Sequence, residues 1–440
     1  MAVLKRRLDR IDALAISLGL VIGVGVFRNT GLVLAGTGGV GGATVLWLAI
    51  GVVCLFGTTL YADLSGRIPE AGGGYAYVRV AFGGAPSFIY GWMFFGVANT
   101  LRQAVVYAAI GERLSVWLPG GPRVLGAIVM LVLALLTLNG VRIGAITQRI
   151  FTTGKLATIA LVIVLSIVLG VTGAPSGTGA IPTESFVTAV SAAWFTMLGW
   201  QETVLLAEEV HHPRRDLPLV LVTTVGLTLT LYVAIHLATY FALGGGPLAY
   251  GAWPAVDIAR FVLGGFGAGL LSVLLLSSMI GVAADGMLVR PRVAMALARD
   301  GMAPRSIAAV NRVGTPYGAL ALHVVIVLAL VASNSFNALL PLVLFAQGFL
   351  GIFETASYFV VRKKRPELPT SRFHPWAPLA FIAVNAALCV LAGIARPVGV
   401  LMTLGILATF AIVYAVFRAA RPASISPERM TRERNDAAAG

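Results

Sequence analysis

Gly23-Val24-Gly25-Val26-Phe27, followed by Arg28, Asn29, Thr30 and Gly31, places two glycines two residues apart inside a long apolar run. Each glycine weakens a helix by about 1 kcal/mol relative to alanine. A backbone unwound there frees amides at the start of the resumed helix, and such amides attract a carboxylate. Close packing of a small-residue face against a neighbouring helix accounts for the same glycines, and composition does not separate the two readings. A second stretch, Trp194-Phe195-Thr196-Met197-Leu198-Gly199-Trp200-Gln201-Glu202, joins an aromatic cluster and a central glycine to two polar residues. An acid within such a run is a functional candidate, although a structural hydrogen bond is the favoured reading of Glu202 over substrate contact.

Other titratable residues point to less. Gly154-Lys155 evokes a phosphate loop, but Arg149 and Leu156 occupy positions where the Walker pattern needs glycine and Ser or Thr, which argues against an ATP-driven pump. His211, His212, His236, His323 and His374 lack metal-ligand spacing, and Cys54 and Cys389 imply no disulfide framework. No metal or cofactor is expected. Asp285 and Glu354 read as internal partners for a helix-end arginine or as polar contacts between helices. Arg102 lies roughly 20 Å along its helix at 1.5 Å per residue. The expectation is that it snorkels outward; lining a vestibule is the alternative.

These residues sit in a chain that is 58% hydrophobic and only 11% charged, with a mean hydropathy of +0.90. Soluble domains carry about 25% charged residues. Apolar runs of about 20 residues, enough to cross a bilayer, recur from end to end. Gly, Pro and charge breaks divide them into twelve spans. The first six are Ile11–Ala35, Gly42–Asp63, Phe88–Leu114, Val124–Leu138, Phe151–Val171 and Phe186–Leu206. The second six are Leu219–Leu243, Phe261–Val289, Tyr317–Ala332, Ala338–Val361, Pro378–Ile394 and Val398–Phe417. The fourth, ninth and eleventh are short, so eleven spans is the alternative count.

The net charge of +14 is spread over alternate turns rather than gathered on one face, which argues against a nucleic-acid partner. Of the 32 Lys and Arg, only Arg28, Arg102, Arg113, Arg123, Arg260 and Arg396 fall outside the N-terminus, the even-numbered turns and the tail. Arg290 is counted with the turn after span eight. The positive-inside rule then puts both termini in the cytoplasm. The first span reads as retained, not as a cleaved signal peptide.

The two weakened stretches begin two sets of five spans, and an odd number of crossings inverts the second set relative to the first. That is an inverted-repeat arrangement with broken helices at corresponding positions. The expected fold is an all-α integral membrane protein of about twelve helices, with discontinuous helices one and six. The first repeat covers 1–175, the second 176–365, helices eleven and twelve 366–420, and a disordered cytoplasmic tail 421–440.

The Gly-Val-Gly-Val-Phe stretch is similar to the first-helix glycine motif of the amino acid–polyamine–organocation superfamily, with Val24 where a small polar residue is more usual. Pro69-Glu70-Ala71-Gly72-Gly73-Gly74-Tyr75-Ala76-Tyr77-Val78-Arg79, with Ala81-Phe82-Gly83, resembles that family's loop after helix two. Ala207-Glu208-Glu209-Val210 with Pro213-Arg214-Arg215-Asp216-Leu217-Pro218 resembles the loop after helix six. Arg292-Val293, Ala296-Leu297-Ala298-Arg299-Asp300-Gly301 and Gly314-Thr315-Pro316-Tyr317 resemble the loop after helix eight.

The resemblance implies a substrate carboxylate on the amides near Val24, Gly25 and Val26. It places the substrate amino group against carbonyls near Ile22 and Gly23 and those of Phe195, Thr196 and Leu198, beside Gly199, with Phe195 as a gating aromatic. Lys155 reads from its position as snorkelling to the interface. The resemblance instead places its amine between helices one and eight, where sodium sits in sodium-coupled relatives, with Ile22, Gly23, Ser277 or Ser278 as partners. Desolvation disfavours a charged ammonium, so such a lysine could release a proton during the cycle.

Function then reads as secondary transport of amino acids or related amines across the cell membrane, sodium-independent and proton-coupled, with obligate exchange as the alternative. The implied partners are the small-molecule substrate, protons and the lipid bilayer; the sequence is silent on a partner subunit. A membrane enzyme would need a cluster of His, Asp or Glu at the interface, which is not found. A channel or sensor built on the same fold is the third class.

Overall fold

The computed structural model describes residues 8–68, 72–138, 145–172, 184–207, 210–311, 315–333, 336–366 and 371–419. These are helical throughout, with no β-strand among the described residues. The chain runs through α1 (Arg10–Val21), α2 (Val24–Thr37), α3 (Val40–Arg67), α4 (Gly74–Phe82) and α5 (Gly84–Trp92). A π-helical turn, Met93–Ala98, leads into α6 (Asn99–Leu114), α7 (Pro122–Leu138), α8 (Ala145–Thr172) and α9 (Phe186–Met197). A 3-10 segment, Trp200–Leu206, precedes α10 (Pro213–Ala242), α11 (Pro254–Val289) and α12 (Pro291–Arg299). The last helices are α13 (Tyr317–Ser333), α14 (Phe336–Lys364), α15 (Trp376–Ala395) and α16 (Pro397–Ala419).

Among the described residues, eight helical segments are long and apolar enough to cross a bilayer, and α1 with α2 makes a ninth as a pair bent by 46°. Two shorter apolar helices, α7 and α13, cover the expected fourth and ninth spans. The outer surface is apolar: Val398, Leu401, Met402 and Val416 of α16 and Val390 and Ile394 of α15 are exposed. Meanwhile Arg67, Arg290, Glu202 and His236 are buried. A protein dissolved in lipid hides its polar groups and shows its hydrocarbon ones, because lipid cannot hydrogen-bond them. Residues 421–440, expected to be a disordered tail, lie outside the described residues.

Two of the motif-bearing loops meet. Tyr75 in α4 donates a 2.8 Å hydrogen bond to Asp300, and Arg79 lies 3.5 Å from the same carboxylate. At the start of α1, Asp9 and Asp12 form a reciprocal capping box, and Arg10 pairs with Asp216 of α10 at 3.1 Å. Residues 69–71, 208–209 and 312–314 of the three motif regions lie outside the described residues.

Both expected helix breaks are present. Ile22 (ψ 99°) and Gly23 (φ −136°, ψ −150°) are extended between α1 and α2. Leu198 (ψ 151°) ends α9, and Gly199 at φ 124° turns the chain into the 3-10 segment, a conformation that favours glycine. The two breaks touch. A Cβ on Gly25 would lie 2.6 Å from Thr196 Oγ1 and 2.9 Å from its Cα, and one on Gly199 would lie 2.5 Å from the Leu20 carbonyl oxygen. Gly25 therefore serves the close-packing reading, since its missing side chain is where α9 lies. Gly199→Ala meets both a forbidden backbone and a clash, each of which costs on the order of 1–3 kcal/mol. Its thermal unfolding midpoint in detergent should fall by several degrees. Gly226→Ala, in open space on α10, should leave the midpoint unchanged or slightly raised. Equal midpoints for Gly199→Ala and wild type would show that the second break is not held as described.

Candidate functional site

A helix break in a low-dielectric interior leaves carbonyls and amides that need partners. Three of the last four carbonyls of α1 have them. Leu18 O accepts from the Ile22 amide at 2.8 Å, Gly19 O accepts from the Lys155 ammonium at 2.7 Å, and Val21 O accepts from the Tyr232 hydroxyl at 3.1 Å. On the other side of the break, α2 starts without a side-chain cap, so its first amides face the gap between the half-helices. Asn29, one turn beyond Gly25, donates to Ala192 O at 3.0 Å and to Thr196 Oγ1 at 2.9 Å, stapling α2 to α9. Deeper, Ser17, Thr203 and Thr224 form a chain of hydroxyl hydrogen bonds linking α1, the 3-10 segment and α10.

Between the breaks lies a narrow cavity of about 30 Å³, room for one or two waters. Five expected residues line it: Gly23, Gly25, Phe195, Thr196 and Leu198. Leu20 and Val21 close it from α1, Val106 from α6 and Val282 from α11. Phe195 is 8% exposed, with its ring in the wall, where an aromatic gate would stand. Ile22 and Val26 are buried beside the cavity without lining it, and the Val24 side chain lies outside the described residues. Gly199 faces the Leu20 carbonyl and not the cavity.

Lys155 is 1% exposed, so it does not snorkel. Its ammonium meets α1 as expected, but at Gly19, one turn before Ile22 and Gly23. Of the two serines proposed as its partners, Ser278 is buried with its hydroxyl unpaired among the described residues, whereas Ser277 is exposed. Adjacent residues on a helix point about 100° apart, so only one of the pair can face α1, and Ser277 is the one that cannot.

Two arginines correct the sequence reading. Arg102 does not snorkel: it is 7% exposed, lines the cavity, and forms an ion pair with Glu202 through Nη1 and Oε1. Arg290, counted as a residue of a turn, is 1% exposed and also lines the cavity. Its Nε lies 3.5 Å from the same Glu202 oxygen, and its Nη1 donates to Gln103 Oε1 at 2.5 Å. Gln103 in turn donates to Ala283 O at 3.0 Å. A signal was present in Asn99, Arg102 and Gln103, a polar stripe at i, i+3 and i+4 that a lipid-facing helix would not carry. Glu202 is the internal contact expected of it. Glu354 is likewise a polar contact between helices, accepting from the Tyr61 and Tyr90 hydroxyls. The Asp285 side chain lies outside the described residues. No group of three metal-ligating side chains occurs among the described residues.

Comparison with known proteins places this geometry in a lineage. The family model for amino acid permeases matches residues 8–422. The large neutral amino acids transporter small subunit 2 of Homo sapiens is 28% identical over 429 residues, covering 93% of this chain and 80% of that protein. The serine/threonine exchanger SteT of Bacillus subtilis is 26% identical over 391 residues, covering 86% of this chain and 89% of the exchanger. The b(0,+)-type amino acid transporter 1 of Oryctolagus cuniculus is 30% identical over 257 residues, about half of each chain. With a family model matched along nearly its whole length, and with the two helix breaks that enclose the cavity, the chain belongs to the amino acid permease family.

Proposed function

We propose that this protein is a secondary transporter that carries amino acids across the cell membrane by alternating access. The observation that carries the reading is the meeting of two helix breaks at one cavity, lined by Gly23 and Gly25 on one side and by Phe195, Thr196 and Leu198 on the other. Backbone at a break reads what every α-amino acid shares: amides at the start of α2 suit the carboxylate, and carbonyls at the end of α9 suit the ammonium. The cavity is too small for an amino acid as it stands, so loading requires Phe195 and its neighbours to withdraw. That movement is the gate. The relatives' names support the same class, and one of them, the serine/threonine exchanger, supports exchange as the second reading.

The architecture proposed with it has twelve spans, both termini in the cytoplasm, and two inverted five-helix repeats over 1–175 and 176–365. The broken pairs α1–α2 and α9 with its 3-10 segment open the two repeats, as that symmetry requires. The Lys155 ammonium of α8 at Gly19 O puts a positive charge beside α1, which supports sodium-independent transport. A proton shuttled by the same amine supplies coupling; an amine that stays charged gives sodium-free exchange.

In proteoliposomes, uptake of a stabilising amino acid should proceed equally with sodium or with choline outside. Lys155→Ala should cut uptake at least ten-fold at equal folded protein. A strict sodium requirement, or a fully active Lys155→Ala variant, would remove the lysine from the mechanism. Phe195→Ala should slow uptake several-fold when normalised to folded protein in the membrane, whereas Phe195→Leu would rescue a mere packing role. Equal normalised rates for Phe195→Ala and wild type would end the gate assignment.

A further inference from the structure

The only charged side chains lining the cavity, among the described residues, are Arg102 and Arg290. Both turn to one carboxylate, Glu202, which stands behind the wall and not in it. The two guanidinium groups share Glu202 Oε1, while Oε2 has no hydrogen-bond partner among the described residues. Among the described side chains, two cations against one anion leave the cluster with a formal charge of +1 in a low-dielectric interior. A buried charge without a counter-charge is costly. Among the described residues Arg102 donates only through Nη1, so the rest of its fork is available to a second carboxylate, the geometry that guanidinium groups bind best.

A second observation lies further out along the same helices. Arg28, one turn into α2 from the first break, pairs with Glu112 at 2.8 Å and sits 5.9 Å from the centre of the Trp253 ring. Arg113 sits 5.7 Å from that ring and has a buried Nε without a partner among the described residues. It lies eleven residues beyond Arg102 on α6, about 16 Å along the axis. Arg260 is close enough to act electrostatically on Arg113 and on Asp257. Three arginines against Glu112 and Asp257 make this region net positive as well. Net positive potential favours anionic solutes over cationic ones.

We propose that the transported amino acid carries a second, side-chain carboxylate, which Arg102 binds on exchanging it for Glu202. The inference rests on reading the cavity as an amino-acid site. The α-carboxylate takes the amides of α2, the side-chain carboxylate takes the Arg102 fork, and Arg290 keeps Glu202 from being left alone. An amino acid with an apolar side chain leaves the +1 charge uncompensated. Lysine, arginine and amines lacking a carboxylate add to it and are rejected.

The test is a thermal-shift titration of the purified wild-type protein with L-aspartate, L-glutamate, L-leucine, L-serine, L-lysine and glutarate. The expected result is stabilisation by aspartate or glutamate at concentrations at least ten-fold below those needed for leucine or serine, with none from lysine. Stabilisation by leucine or serine but by neither acidic amino acid overturns the inference and leaves the amino-acid site standing. Glutarate matching glutamate, or no response to any amino acid, overturns the amino-acid site and the inference with it. In Arg102→Gln, affinity for the acidic amino acid should fall at least ten-fold, and an unchanged affinity in the folded variant also overturns the assignment. Should that variant fail to fold, the wild-type series decides alone.

Discussion

A backbone interrupted in the middle of a membrane must find partners for its freed amides and carbonyls inside the protein, and the rest of this structure is arranged around that requirement. The carbonyls at the end of α1 draw in Lys155 from α8 and Tyr232 from α10. The second break is pressed against the first so closely that Gly25 and Gly199 have no room for a side chain. Asn29 and Thr196 fasten the halves that resume beyond. The two breaks enclose one narrow cavity, and it is there that we propose an α-amino acid meets the interrupted backbone.

The interior charges obey a related logic. Arg102, Arg290 and Glu202 are desolvated, and no isolated member of the set would be tolerated there. Glu202 holds two arginines at the cavity wall, Gln103 orients Arg290, and the Ala283 carbonyl orients Gln103. A ligand carboxylate that replaced Glu202 at Arg102, as proposed above, would rearrange this network and carry substrate binding to α6 and α11, helices that pack against each other. Stability and selectivity draw on the same few groups.

Much of this was legible in the residues. The paired glycines Gly23 and Gly25 and the single Gly199 mark both stretches as weak points, and the structure breaks the helix at Gly23 and at Gly199. Phe195, Thr196 and Leu198 come from the family resemblance, and the structure places all three on the cavity wall. The direction a side chain faces was harder to read. A single arginine on a long apolar helix says nothing about its azimuth, so Arg102 reads as snorkelling until Asn99 and Gln103 are considered with it. Arg290 follows the last apolar residue of its span and so reads as part of a turn, yet its side chain is buried at the cavity wall. Ser277 and Ser278 were indistinguishable, since only the packing of α11 decides which of two neighbours turns inward. Lys155 donates to Gly19 O, one turn before the Ile22 and Gly23 carbonyls that the resemblance names, a distance its four-carbon stem spans.

The cavity between the two breaks is where we propose that the amino acid binds. Val106 lines it from α6 without joining any of the charged or backbone groups discussed above. In a protein whose Cys54 and Cys389 are replaced by serine, Val106→Cys offers one thiol in the cavity wall. The rate at which a small polar maleimide labels that thiol, measured with and without a saturating stabilising amino acid, tests the claim directly. The account predicts labelling several-fold slower with the amino acid bound, and undiminished protection when sodium is absent. A labelling rate unaffected by an amino acid that demonstrably stabilises the same variant would place the binding site elsewhere.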